Sequence, residues 1–298
     1  MPEVAEYKTG RIVKGVGGLY TARDNDGAEY ILRARGRFRL DGVSPLVGDR
    51  VVFLPAANEA HALLLEILPR SSECVRPPAA NIDLLVIVVA AIPEPDFLLV
   101  DRLLVHARRS GFSALLCVNK SDLNHTLFRE LSDQYRQTGV PVLSVSARAG
   151  EGLSFLQTEM AGKLCCMAGQ SAVGKSTLLN AMMGLSQKTG ELSVKISRGR
   201  HTTRHTELLE ANGFSVLDTP GFSLMDLSPG MAPEKLLDYY PEYAAYQPEC
   251  RFSPCLHDRE PDCAIWRAVN DGTLNKVRHE RYRLLLEEVR KTWKSRYH

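Results

Sequence analysis

Residues 169–177 read Gly169-Gln170-Ser171-Ala172-Val173-Gly174-Lys175-Ser176-Thr177, and the run through Ser176 satisfies the pattern G-x-x-x-x-G-K-[ST] in full. Backbone N–H groups of such a loop form a nest for anions at a helix N-terminus. Lys175 reaches the β- and γ-phosphates of a nucleotide, Ser176 offers its hydroxyl to Mg²⁺, and Thr177 falls in the first helical turn near the α-phosphate. A second set, Asn119-Lys120-Ser121-Asp122, has the form N-K-x-D. Its carboxylate can accept hydrogen bonds from guanine N1–H and the 2-amino group, and adenine has neither donor. Asn119 braces such a pocket and the Lys120 stem covers the base. Asp218-Thr219-Pro220-Gly221 has the form D-x-x-G, in which the aspartate holds Mg²⁺ through water and the glycine N–H meets the γ-phosphate. The stretch 199–206, containing His201, Thr202, Thr203 and His205, lies where a γ-phosphate-sensing loop belongs, and a threonine there completes the Mg²⁺ shell. Ser146-Ala147 fits the weak motif that supports the base through backbone N–H groups.

Together these make one complete guanine-nucleotide site, but in an unusual order. The base-reading motif precedes the phosphate loop, with Asn119 fifty positions before Gly169. An ordinary G domain has the reverse. A circular permutation, which keeps the sheet and cuts the chain elsewhere, accounts for the order.

The elements that must position these residues follow from periodicity. Residues 82–91 form a near-continuous apolar run, as in a central parallel strand buried on both faces. A helix is expected over 97–110, ended by Gly111, and then a strand over 114–118 that delivers Asn119 at its carboxyl end. A helix over 126–137, a strand over 140–145, a helix near 152–160 and a strand over 163–167 lead into the phosphate loop. A helix over 176–183 follows it. A strand over 214–217 ends in Asp218.

Before this lies a segment of short strands with turn signals, Asp24-Asn25-Asp26-Gly27 among them, consistent with a small β-barrel. Read as one strand over 29–40, it places Arg33, Arg35, Arg37 and Arg39 on a single face. Four aligned guanidiniums repel unless an anion covers them, so an RNA backbone is the expected partner, against a plain solvated face.

The composition fits ordinary cores: 44% of residues are hydrophobic and the net charge is +2. The longest apolar run, 84–92, is too short to span a bilayer. The first residues lack a signal-peptide pattern, so a cytoplasmic protein with no membrane partner is expected. Of seven cysteines, Cys74, Cys117, Cys165 and Cys166 are scattered and read as buried thiols. Cys250, Cys255 and Cys263 cluster with His257, a set suited to a closed structural Zn²⁺ site. A disulfide would leave one cysteine unpaired and His257 unexplained. A helix over 274–293 then carries Lys276, Arg278, Arg281, Arg283, Arg290, Lys291, Lys294 and, just beyond it, Arg296, which is either a solvated face or a second RNA surface.

A permuted G domain after a small barrel and before a Cys/His cluster resembles the bacterial ribosome small subunit-dependent GTPase A family, the YjeQ/YloQ type. The likeness spans essentially the whole chain, and Gly199-Arg200-His201-Thr202-Thr203 with the cysteine spacing are its most specific marks. The resemblance implies an OB-fold at the N-terminus, binding to the 30S subunit and its 16S rRNA, and a role late in small-subunit maturation. It also implies GTP hydrolysis to GDP and phosphate that is slow alone and stimulated by the subunit. It assigns His201 to positioning the attacking water and Thr203, rather than Thr202, to Mg²⁺. Phe222 stands where a Ras-like enzyme orients that water with glutamine, and a phenyl ring cannot do so.

The expectation is thus a multidomain monomer: an OB-fold barrel over 1–70, a circularly permuted P-loop α/β GTPase domain over 71–228, and a zinc-binding, mostly helical domain over 229–298. The alternative is a GTP-gated assembly factor acting on another RNA, such as tRNA or the large subunit.

Overall fold

The computed structural model describes residues 6–34, 36, 38, 42–56, 60–74, 78–184, 206–211, 213–218 and 230–295, with Ala211 and Asp218 described by their backbone alone. The first five strands are β1 (Lys8–Val16), β2 (Leu19–Asp24), β3 (Glu29–Ala34), β4 (Arg50–Leu54) and β5 (Ala62–Ile67). They pair in the order β1-β2-β3-β5-β4, and β4 returns to β1, which closes a five-stranded barrel. Alternate side chains point inward: Ile12, Ala22, Leu32, Val51, Phe53 and Leu64 are fully buried. The expected turn at 24–27 is present, with the Asp24 carboxylate accepting from the N–H groups of Asp26 (3.0 Å) and Ala28 (2.9 Å).

The strand expected over 29–40 is shorter. β3 stops at Ala34, and Phe38 lies in a helical turn. The register explains this. Arg33 pairs with Leu19, and the chain beyond Leu19 is the Gly17–Gly18 turn, so β3 runs out of its antiparallel partner. Arg33 is exposed, but Arg35, Arg37 and Arg39 lie outside the described residues, and the four do not share one strand.

A short hairpin, β6 (Glu73–Cys74) with β7 (Ala79–Ala80), leads into the second sheet. Its strands are β8 (Leu84–Val89), β9 (Ser113–Val118), β10 (Val142–Ser144), β11 (Leu164–Ala168), β12 (Glu207–Ala211) and β13 (Phe214–Asp218). Their order is β10-β9-β8-β11-β13-β12, with every pair parallel except β12–β13. Four helices cover this sheet: α1 (Phe97–Ser110), α2 (Thr126–Tyr135), α3 (Leu153–Met160) and α4 (Lys175–Met182). Both faces are dry, as the apolar run of β8 requires. Leu85, Ile87 and Val89 pack toward α1 and α2, while Leu84, Val86 and Val88 pack toward α3 and α4.

The last part of the chain is helical. Three 3₁₀ segments, Pro233–Tyr239, Pro241–Tyr243 and Gln247–Glu249, precede α5 (Ala264–Asn270) and α6 (Lys276–Lys294). Tyr240, Tyr282, Leu285, Leu286 and Val289 form its core, into which α1 inserts Val105. Among the described residues no helix is long and apolar enough to cross a membrane.

Two seams join the barrel to the sheet. β12 pairs antiparallel with β1 at Lys14↔Glu207, so barrel and sheet form one hydrogen-bonded system. At the other seam Gly48, at φ +95°, approaches so closely that a Cβ would lie 2.0 Å from the Ala80 carbonyl oxygen. Beside it Asp49 is fully buried, accepting from Arg70 Nε and Nη2 at 2.8 Å and from the Leu46 N–H at 2.7 Å. Removing one partner of such a pair strands a buried charge, at a cost of about 3 kcal/mol or more. Arg70→Ala is therefore expected to lower the thermal unfolding midpoint by several degrees, while Arg136→Ala, on an exposed pair, leaves it unchanged.

Candidate nucleotide site and metal centre

Because β8, β9, β11 and β13 run parallel, their carboxyl ends lie along one edge of the sheet, where α/β folds bind ligands. β11 delivers Gly169, β9 delivers Asn119, and β13 ends at Asp218. Gly169 has φ +131°, and a Cβ there would sit 2.1 Å from the Val88 carbonyl oxygen, so the loop leaves the sheet in a way only glycine permits. Gly174 has φ +95°, and its Cβ would lie 2.5 Å from Asn119 Nδ2. The phosphate loop and the base-reading motif are therefore in direct contact.

Asn119 is the tie. Its Nδ2 donates to the Val173 carbonyl at 2.9 Å and its Oδ1 accepts from the Ala147 N–H at 3.1 Å. One buried side chain thus joins three separate motifs. Lys120, at φ +59°, spans the phosphate loop from outside, with Nζ donating to Ala172 O (2.8 Å) and Ile92 O (2.7 Å). Ser121 is buried, its N–H donating to Val145 O at 3.1 Å. The exposed Asp122 carboxylate accepts from the buried Ser146 hydroxyl at 2.6 Å, which orients it and leaves acceptor positions open to a base.

In the phosphate loop, Ser171 and Ala172 are exposed and Val173 is buried under the sheet. Lys175 Nζ donates to the carbonyls of Gly169 and Gln170, both at 2.6 Å, and burial pulls its ammonium below the ordinary lysine range. An anion in the loop would offset that desolvation. Ser176 and Thr177 are exposed in the first turn of α4. This arrangement can cradle a polyphosphate, read a purine edge and offer a hydroxyl to a divalent cation. His201, Thr203, Gly221 and Phe222 lie outside the described residues.

The second cluster lies in the helical region. The ligand atoms of Cys250, Cys255, His257 and Cys263 all fall within 4.8 Å of one another. His257 Nδ1 is 3.3 Å from Cys263 Sγ and 3.6 Å from Cys250 Sγ. Metal–ligand distances of about 2.0–2.3 Å place tetrahedral ligands about 3.3–3.8 Å apart, so the donor set fits a closed tetrahedral metal ion. Burial alone pushes the Cys255 thiol up to about 12, so a cation is needed to hold it as thiolate. The ligand loop is anchored to α6: Asp258 pairs with Arg283 (2.9 Å) and Arg290 (2.6 Å), and Tyr282 OH donates to Leu256 O at 2.7 Å.

These anchors correct the reading of the basic tail. Arg278 and Arg281 are buried rather than displayed, Arg283 and Arg290 are held by Asp258, and Lys291 pairs with Glu287 at 2.8 Å. Arg296 lies outside the described residues.

Two features escaped the motif search. Gln170 uses its side chain to grip the loop before α1, a contact no pattern signals. Asp101 is 1% exposed inside α1. The sequence did carry a sign of it, since Asp101 falls on the apolar stripe of Phe97, Val100 and Leu104 at helical spacing.

Known proteins share this arrangement. A family model described as RsgA GTPase matches residues 67–228, and one described as RsgA N-terminal domain matches residues 9–62. The chain is 41% identical over 292 residues to the small ribosomal subunit biogenesis GTPase RsgA of Caldanaerobacter subterraneus subsp. tengcongensis, covering 97% of this chain and 98% of that protein. It is 40% identical over 295 residues to the protein of the same name from Halalkalibacterium halodurans, covering 97% and 99%. Among solved structures, YjeQ from Thermotoga maritima superposes with TM-score 0.83 at 32% identity, covering 95% of this chain and 99% of that one. YloQ, a circularly permuted GTPase, gives TM-score 0.80 at 31% identity, with 98% of each chain covered.

If the Cys/His cluster holds a metal ion, stripping it with a strong chelator under reducing conditions is expected to unfold the helical region around it. Metal analysis paired with circular dichroism checks this. Loss of metal with no loss of helix would contradict it.

Proposed function

The chain belongs to the RsgA GTPase family, whose members hydrolyse GTP, and from that premise we propose that it acts on the small ribosomal subunit as a late assembly checkpoint. The observation that carries the nucleotide reading is the double contact of Asn119 with Val173 and Ala147. It makes base recognition and phosphate binding properties of one pocket.

In this reading Gly169 to Gly174 wrap the β-phosphate with backbone N–H groups, and Lys175 leaves its carbonyl partners for the β- and γ-phosphate oxygens. Asp122, held by Ser146, selects guanine, while Lys120 and Ala147 border the base. Thr177 sits near the α-phosphate. Ser176 and Thr203 hold Mg²⁺ directly and Asp218 holds it through water; the ion, when bound, offsets the charge on the β- and γ-phosphates. Gly221 donates its N–H to the γ-phosphate. His201 orients the water for in-line attack, in the role Phe222 cannot fill. The products are GDP and phosphate.

The Cys/His cluster is assigned to one structural Zn²⁺: three thiolates and one imidazole leave no open position for catalysis. Contact with 16S rRNA is assigned to the barrel. Arg11 and Arg50 stand directly opposite each other on β1 and β4, and burial together with the Arg50 charge pulls the Arg11 guanidinium below its ordinary range. A like-charge pair in register favours an anion above it. The protein is read as a cytoplasmic monomer.

GTP hydrolysis measured with and without purified 30S subunits tests this function. Turnover is expected to rise by about an order of magnitude or more with 30S, and not with 50S subunits or tRNA. His201→Ala is expected to bind GTP normally and lose the stimulated rate. Equal turnover with and without 30S would overturn the checkpoint reading, and unchanged stimulation in the variant would overturn the role of His201.

A further inference from the structure

The phosphate loop is tied to the metal-bearing helical region by a route that lies wholly within the described residues. It begins at Gln170. The Gln170 side chain accepts from the Asp96 N–H at 2.9 Å through Oε1 and donates to the Glu94 carbonyl at 3.0 Å through Nε2. Both partners belong to the loop joining β8 to α1. Lys120 holds the same loop at Ile92 O. The loop is therefore clamped between both nucleotide-binding motifs.

Asp96 then starts α1, capping it by accepting from the Leu99 N–H at 2.8 Å. Movement of the cap residue moves the helix, because the intrahelical bonds behind it are continuous. Along its length α1 is held by the C-terminal region. Asp101 accepts from Arg281 Nε at 2.5 Å, pairs with Arg278, and accepts from Tyr135 OH at 2.6 Å. Arg278 also donates to Glu242 Oε1 at 2.5 Å. The four charged side chains are 0–8% exposed and balance in formal charge, so none can leave alone without stranding another. Arg102 adds two bonds to Glu288 of α6, at 2.8 and 2.9 Å. In the last turn Arg108 donates to Tyr239 O at 2.6 Å. One end of α1 thus meets the phosphate loop, and the rest is inlaid in the helical region.

We propose that Gln170 is a positioning residue that fixes the phosphate loop to the cap of α1, and that α1 with its buried Asp101 lock makes the helical region part of the frame of the nucleotide site. Filling the phosphate loop then tightens the seat of α6, and loosening that seat weakens nucleotide binding by the same factor. The proposal rests on the reading that residues 169–177 hold the nucleotide. It differs from signalling through Asp218 and the following residues, because it needs no γ-phosphate: GDP suffices.

Hydrogen exchange on the full chain, with and without GDP and Mg²⁺, tests it. Amides of α6 around residues 278–286 are expected to exchange about fivefold slower with GDP, the lower end of common coupling. In Gln170→Ala, titration with a fluorescent GDP analogue is expected to show binding weakened several-fold. At saturating GDP the α6 protection is expected to be gone. Gln170→Met keeps the side-chain length without the amide and should behave the same, which guards against a folding defect in one variant. Wild-type α6 exchange that ignores bound GDP would sink the proposal, as would full protection in both variants. A wild-type chain that binds no GDP would instead remove the nucleotide-site reading beneath it.

Discussion

The parallel pairing of β11 with β8 on one side and β13 on the other is the constraint on which the molecule depends. It sets the carboxyl ends of separate chain segments side by side, whatever their order in the chain. β8 has the composition to impose it: six apolar residues buried on both faces can only sit inside a sheet covered on both sides. Once β11 occupies the centre, Gly169 leaves the sheet against Val88, and Gly174 comes to rest on Asn119. A side chain at either glycine would collide with these neighbours, so sheet packing and ligand geometry are set by the same contacts.

Permutation leaves the fold with ends in unusual places, and the flanking regions occupy them. The outer edge of β12 would present unpaired backbone groups to solvent, but β1 of the barrel pairs with it. Lys14–Glu207 and Arg23–Glu210 add ion pairs across that seam. On the other side, the helical region packs over α1 through Val105 and the Asp101 cluster. Replacing that cluster with apolar residues could hold the helices together equally well. Buried, mutually dependent charges instead restrict α1 and α6 to one alignment.

Much of the architecture was legible in the residues. The double-sided burial of β8 follows from its uninterrupted apolar run, and the strand-loop-helix around Lys175 follows from its glycine spacing. The Cys/His cluster was legible because four soft ligands within fourteen residues have few other uses. What stayed hidden depended on partners far away in the chain. The end of β3 is set by where β2 begins, not by its own alternation, so the arginines at 35, 37 and 39 could not be placed from periodicity. Arg278 and Arg281 read as surface charge because nothing local reveals that Asp101 lies against them. Asn119 was found by its motif, but the contact that makes it a tie to Ala147 exists only in three dimensions.

The central claim is that two motifs in reversed order build one guanine-selective pocket. Its most direct test is the base preference of Asp122→Asn, measured as affinity for GTP and for xanthosine triphosphate in the full chain. The carboxamide offers a donor where the carboxylate only accepts, so preference is expected to shift from GTP to the xanthine nucleotide. If the variant kept an undiminished preference for GTP, the base would be read elsewhere and the single-pocket account would be wrong.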